Sequence, residues 1–449
     1  MLLLAAVAMV AMPDWVPARW FSKDPATLKL VESTPVNCLL MEKANWSPEF
    51  TRAAAERGIA TLGVVTGNAN AADVAAEAKK AGLTGLAVEG AFANVASAGK
   101  VDMPVVELVN RAEMKFGSDA KILATKQGMW PGIRAEQDGL IAAPTGAPWI
   151  DTNTGFLRYA RVSTPAAIWI ANRVPAKTHL LVTAYLAAIG DAGMTGARWV
   201  LDFDDQFAGG LSKGDPTALK NWAVIVQHVK FYEDHKEWRT FAMRSTLALV
   251  EAPESGALIS GGVLDMMATK HTPVTPIPAG GLNGKSLLHS KMAVNVDPEL
   301  LSANQKEALK AFTRAGGTLL TGPPGWRFPA LQPDQITLDK KDLETLADIW
   351  HELNSVTGRD NLGARLFNVG SMLSNLLESP DGKQVALQLV NYSDYPVADI
   401  TVHVLGKFKR ATLMRPDAGP QKLEVYEVEE GTGIDIPALG ALGTLVLEP

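Results

Sequence analysis

The sequence predicts an α/β chain in three parts: a (β/α)8 barrel, then a flavodoxin-like α/β domain, then a small antiparallel β-sandwich. Three observations carry this. From Val36 to Arg244, short β-type runs alternate with amphipathic helical stretches, the pattern of βα units wound into a parallel sheet. A second, shorter alternating unit follows, and beyond Asp381 there remain only short strands separated by Pro and Gly turns. At 449 residues the chain is also too long for one core, since single cores stop growing near about 250–300 residues.

Residues 36–41 read as the first strand. SPEFTRAAAER at 47–57 then makes a helix, with Ser47 as N-cap, Pro48 at its first position and Gly58 just past its end. Residues 59–66 are a second strand, an Ala-rich helix over 71–81 closes at Gly82, and 84–89 is a third strand. Stretches 104–109, 121–125, 148–150, 166–171 and 198–203 supply the other strands, with the plainest helices over 151–163, 178–192 and 215–238. This density of units suits a closed barrel over 13–243 better than its rival, a doubly wound open sheet.

The second unit, 244–335, has strands over 246–250, 286–294 and 318–321, a loop and helix over 256–269, and a helix over 298–315 ended by Gly316-Gly317. A Pro-rich linker over 323–333 and connecting helices over 336–380 lead to the sandwich, 381–449. Its strands fall at 385–391, 399–405, 411–414, 422–427 and 443–447.

Composition narrows the function. Hydrophobic content of 47% and charged content of 20% describe a globular chain with large cores. The net charge is -6 with acids and bases interspersed, which leaves no basic face for nucleic acid and points to a small molecule or a neutral polymer as ligand. Cys38 is the only cysteine and lies in an apolar run, so no intrachain disulfide forms and the thiol is buried and inert. The opening MLLLAAVAMVAM, residues 1–12, has the length of a signal segment and small residues at Ala6, Ala8 and Ala11, although no Lys or Arg precedes it; a secreted or periplasmic location is expected. No later run reaches the roughly 18 apolar residues of a membrane span.

In a barrel the chemistry belongs at the C-terminal ends of the strands. The run Arg198-Trp-Val-Leu-Asp-Phe-Asp-Asp205 ends in acids, and Asp202 and Asp204 at i, i+2 share one face of an extended chain. Glu89 ends Leu-Ala-Val-Glu-Gly and is either a catalytic acid or a structural one paired with a Lys or Arg at the mouth. Glu107 lies further inside its strand, where a buried carboxylate needs a partner such as Arg111, or a catalytic role. The loop from Lys126 to Arg158 holds Trp130 and Trp149 beside Gly and Pro, flat apolar surfaces suited to sugar rings, with Asp151 and Asn153 placed for hydroxyls. Equally open is a structural role, in which the two Trp wedge the loop onto the barrel and Asp151 caps the next helix. His271, beside Lys270 in the second domain, would lean over the barrel mouth. Neither a P-loop, a nucleophile elbow, zinc spacing nor a calcium loop occurs, so no metal or cofactor is expected.

The order of barrel, small α/β domain and sandwich resembles the trimeric β-galactosidases, whose middle domain is a glutamine-amidotransferase-like trimerisation module. The likeness rests on the strand ends above, on LLHSKMAVNVDPELLSANQKEALKAFTRAGGTLLTG at 287–322, and on VALQLVNYSD at 385–394. It implies a carbohydrate ligand and a homo-oligomer, trimer or dimer. Those enzymes carry an Asn-Glu pair after the fourth strand as acid/base and a Glu after the seventh as nucleophile. Counted as above, this chain has Glu107-Leu-Val-Asn110 after its fourth strand and Ile170-Ala-Asn172-Arg173 at its seventh, so the family's catalytic residues do not transfer.

The expectation is a glycoside hydrolase in which Glu89 and Asp202 or Asp204, with Glu107 as a further candidate, form a carboxylate pair, one protonated and one ionised. Lys126, Trp130, Trp149, Asp151, Asn153, Arg158 and His271 would bind substrate. The alternative is a catalytically inactive carbohydrate-binding or scaffold protein on the same fold.

Overall fold

Eight short strands whose inward positions are apolar organise the first half of the chain. The computed structural model describes residues 10–90, 101–130, 133–136, 139–142, 152–252, 264, 267, 270–296, 298–322, 340–358 and 363–449. The strands are β1 (Pro17–Trp20), β2 (Cys38–Met41), β3 (Ala60–Thr66), β4 (Gly85–Glu89), β5 (Val105–Val109), β6 (Ile122–Thr125), β7 (Ala167–Ile170) and β8 (Arg198–Trp199). They pair in chain order and always in parallel. A parallel bridge between Ala18 and Leu201, with the Arg19 N–H donating to the Leu201 carbonyl at 2.7 Å, joins the two edges into a barrel.

β1 is a correction to the sequence reading, which began its strands at residue 36. Pro17 and a fully buried four-residue run carry no alternation to mark a strand. The strand expected at 148–150 lies outside the described residues, and β6 pairs directly with β7. Counted correctly, Glu89 ends the fourth strand.

Both faces of these strands are buried over most of their length. Leu40, Leu62, Val64, Ala87, Leu108, Trp169 and Val200 fill the barrel, while Met41, Val65, Val88, Val109, Ile170 and Leu201 pack outward in the larger core. That is why the strands read as continuous apolar runs. The inward phase also fixes which residues, one step past each strand, enter the mouth.

The surrounding helices follow their caps. In α1 (Pro48–Ala55) the Ser47 side chain accepts from the Phe50 N–H, and Phe50 and Ala54 face the core. In α2 (Ala71–Lys80) the Asn70 side chain accepts from the Ala72 and Asp73 N–H groups. α3 (Thr154–Ser163) and α4 (Val182–Gly193) flank β7. After β8 the structure has two helices where the sequence suggested one, α5 (Asp205–Lys213) and α6 (Pro216–Asp234), because Asp204 caps the first and Asp215 the second. A small three-stranded sheet, Ile133–Glu136, Gly139–Ala142 and Thr178–Leu180, sits beside the barrel.

The second unit is a four-stranded parallel sheet of β9 (Leu247–Glu251), β10 (Thr275–Pro278), β11 (Met292–Asn295) and β12 (Thr318–Thr321), in the order β10-β9-β11-β12. Its helix α7 (Ala303–Arg314) opens on a capping box between Ser302 and Gln305. The linker over 323–333 and nearly all of the helix expected over 256–269 lie outside the described residues.

After α8 (Lys340–Thr357) come β13 (Ala364–Phe367), β14 (Met372–Glu378), β15 (Val385–Asn391), β16 (Val397–Leu405), β17 (Arg410–Arg415), β18 (Ala418–Leu423), β19 (Val425–Val428), β20 (Gly431–Leu439) and β21 (Leu442–Glu448). They form two antiparallel sheets, β14-β15-β21-β17-β18 and β13-β16-β20-β19, with Ala242–Met243 added to the free edge of β14. Leu376, Leu387, Val402, Ile434 and Leu445 fill the space between them. This sandwich begins at Ala364, not at 381, and of the expected connecting helices the described residues contain α8 alone. Among the described residues no helix is long and apolar enough to cross a membrane.

Candidate active site at the barrel mouth

The strand ends bring a lattice of charges together at the C-terminal mouth. Arg19 lies at the end of β1 in the inward phase, its side chain 5% exposed. Glu42 follows β2, Glu89 ends β4, Arg173 follows β7 and Asp202 follows β8. Arg19 reaches Glu89 Oε1 at 2.5 Å and Glu42 Oε1 at 3.4 Å through its two terminal nitrogens. Arg173 makes the same two contacts from the other side, at 3.0 Å to Glu89 and 2.7 Å to Glu42. Asp202 accepts from the Val174 N–H at 3.0 Å and from the Phe203 N–H at 3.2 Å, and lies within the field of both arginines.

This arrangement drives the two expected carboxyls apart. Burial alone would raise Glu89, but the Arg19 and Arg173 guanidiniums outweigh it and hold the carboxyl below its ordinary value. For Asp202 burial wins: its carboxyl is raised despite Arg19, the two backbone donors and Arg173. Glu89 is therefore ionised across the physiological range, whereas Asp202 keeps its proton to higher pH than an ordinary aspartate.

The other expected site residues fall elsewhere. Asp204 is buried and committed to structure, its carboxylate accepting from the Phe207 N–H at 2.9 Å as the cap of α5 and from the Leu180 N–H at 3.1 Å. Glu107 is corrected outright. It alternates with the inward Val106 and Leu108 and pairs across with Val88, so it stands exposed on the outside of the barrel. Its supposed partner Arg111 is instead buried among Gln127, Asn153 and the Phe156 ring, 4.5 Å from the ring centroid.

Trp130 is 2% exposed and packs against Trp199 and Tyr185, with ring centroids 4.7 and 5.5 Å away, so it is core and no sugar platform. Asn153 is likewise buried and hydrogen-bonded to Asp191, Arg111 and Met129. Arg158 is buried and donates to the Ser374 carbonyl at the sandwich. His271 faces the same Ser374, 3.3 Å from its hydroxyl, so it packs on the sandwich strand β14. Lys126 remains exposed, one residue past β6. Trp149 and Asp151 lie outside the described residues.

Arg19, Glu42 and Arg173 are members the sequence reading missed. The signal that selected Glu89, an acid ending an apolar strand, applies equally to Glu42 after Cys-Leu-Leu-Met. Arg19 was hidden by the unseen β1.

No protein-family model matches the chain, and no curated protein sequence matches it. Solved structures do. The alpha-L-fucosidase isoenzyme 2 from Paenibacillus thiaminolyticus superposes with a TM-score of 0.63 at 12% identity, covering 98% of this chain and 100% of its own. A catalytic mutant of a GH42 beta-galactosidase from G. stearothermophilus aligns with a TM-score of 0.47 at 10% identity, over 79% of this chain and 65% of its own. The apo exo-carrageenase GH42 from Bacteroides ovatus gives 0.43 at 10% identity, over 77% and 52%. The first of these shows that the chain shares the fold of that fucosidase over nearly its whole length.

Proposed function

We propose that the protein is a glycoside hydrolase whose carboxyl pair is Glu89 and Asp202. The observation that carries this is the divergence of those two groups within one arginine-bridged cluster at the strand ends. A glycosidic bond is broken by a proton given to the leaving oxygen while a carboxylate serves the anomeric carbon, directly or through water. Asp202, whose carboxyl burial raises, suits the first role, and Glu89, which the two arginines hold low, suits the second. Among the described residues no hydrogen bond reaches Oε2 of Glu42 or of Glu89, which leaves these oxygens as acceptors for sugar hydroxyls. A carbohydrate substrate accords with the likeness in fold. The test is release of reducing sugar from a panel of aryl and oligomeric glycosides by wild type, Glu89→Gln and Asp202→Asn. Each substitution is expected to lower turnover by about 10²–10⁴-fold; activity unchanged in both would remove the assignment.

One observation favours a second reading, a carbohydrate-binding protein without turnover. Glu89 Oε1 receives both Arg19 and Arg173, which stabilise the ground-state carboxylate and reduce its nucleophilicity. Binding across the same panel with no product formed would decide for that reading.

A further inference from the structure

Beside the charge lattice, on the far side of the β8–α5 turn, lies a cavity of about 710 Å3 between α4, α5 and α6. Its size falls in the ordinary range for ligand sites. Its apolar lining is the half-buried Leu180, Val182 and Phe207, together with Tyr185 and Ile225, which are themselves buried. Around that lining stand Asp205, Gln206, Lys213 and Asn221, whose side chains make no hydrogen bond or ion pair with any described residue. A carboxylate, two amides and an ammonium left free beside the half-buried Phe207 ring and its apolar neighbours match a polyhydroxylated ligand, which presents alternating hydroxyls and apolar ring faces.

The local sequence keeps this space open. Gly209 and Gly210 are adjacent in α5 but do different work. A Cβ on Gly210 would meet the Ala218 Cβ at 2.8 Å, so that glycine lets α5 close onto α6. A Cβ on Gly209 would meet nothing within 4 Å, because that face of the helix looks into the cavity. The cavity lies near the proposed catalytic cluster through the chain: Asp204 in its lining stands two residues beyond Asp202, and the Asp204 N–H donates to the Tyr185 hydroxyl at 3.4 Å. The Tyr185 phenol in its wall is raised by burial first and then by the nearby charges of Asp204 and Asp202.

We propose that this cavity is a second carbohydrate site, holding further sugar units of an oligosaccharide whose scissile bond lies at Asp202 and Glu89. Its link to catalysis rests on the hydrolase reading, but its occupancy can be tested alone. The experiment is isothermal titration of the full chain with cello-, xylo-, galacto- and manno-oligosaccharides from di- to pentasaccharide, in wild type, Gly209→Phe, Asn221→Ala and Glu89→Gln. In wild type, affinity for at least one series is expected to rise with chain length. Gly209→Phe is expected to abolish that rise and weaken the longest ligand about tenfold or more. Its thermal midpoint should stay at or above that of wild type, since a helical glycine in open space is replaced by a better helix former. Asn221→Ala removes one free amide from α6 and should weaken the same ligands.

Binding that persists with its Gly209 dependence while no glycoside is hydrolysed keeps the site and rejects the hydrolase. The proposal is overturned if no oligosaccharide binds, or if Gly209→Phe binds as wild type does whatever Glu89→Gln shows.

Discussion

Arg173 couples the two proposed catalytic carboxyls, because its positive charge lowers both Glu89 and Asp202. If hydrolysis needs Glu89 ionised and Asp202 protonated, the acid limb of the pH–rate profile follows the first and the basic limb the second. Removing the charge raises both. Arg173→Gln should therefore move the entire bell to higher pH, not merely lower its height. A profile reduced in height at unchanged pH would show Arg173 to be only structural. His271 makes a separate prediction. Burial first, then Lys270 and Arg158, push its imidazole down to about 4. The unfolded chain, titrating near about 6.5, thus binds a proton that the folded chain refuses between those values. Stability is full above that window and falls as pH drops through it, by up to about 3 kcal/mol. His271 has a φ of 55°, a backbone region Asn tolerates well. Urea midpoints measured for His271→Asn at pH 7 and pH 4.5 should differ by less than those of wild type.

Between elements, the buried Asp191 of α4 acts as a joint. Its carboxylate accepts from the Asn153 N–H at 2.6 Å, the Asn153 side-chain amide at 2.7 Å and the Thr152 hydroxyl at 2.8 Å, and also from the Thr154 hydroxyl. Asn153 in turn receives the Arg111 guanidinium and the Met129 N–H, so one side chain ties the loops after β5 and β6 to the start of α3 and the last turn of α4. Asn153→Ala should cost about 2–4 kcal/mol in denaturant unfolding, because it strips partners from a buried carboxylate and a buried guanidinium. A sugar ligand at that position would instead change KM and leave stability alone. The same residue shows why the sequence was legible only in part. Strands ending in acids and helices with Ser, Asn or Asp caps are local signals, and they located seven barrel strands, α1, α2 and Glu89. Whether Asn153 or Trp130 turns inward or to solvent depends on partners dozens of residues away, such as Asp191 and Trp199. The phase of Glu107 was obscured because the residues on its own face, Val105 and Val109, are as apolar as the inward Val106 and Leu108, so the strand shows no alternation that sets the two faces apart.

Across the whole molecule, barrel, parallel sheet and sandwich share one apolar core, in which Ile189 and Trp199 are continuous with Leu249, Val294, Leu373, Val390 and Leu442. Polar ties cross the same boundary. The Asn375 amide donates to the Met194 carbonyl at 2.7 Å, Gln227 to the Pro416 carbonyl at 2.6 Å, and Arg244 pairs with Glu378 at 2.6 Å. Packing there is close enough that a Cβ on Gly190 in α4 would meet Val390 of β15 at 2.9 Å. Such an interface does not open independently of the cores it joins, since separating them would expose apolar surface worth about 25 cal/mol per Å². Scanning calorimetry of the full chain should accordingly show one cooperative transition. A chain ending at Gly358 removes the sandwich and with it the Ser374 carbonyl that receives the buried Arg158. That shortened chain is expected to aggregate or to melt far below the full one. A soluble truncated barrel with an unchanged midpoint would show the sandwich to be an appended module that contributes nothing to barrel stability.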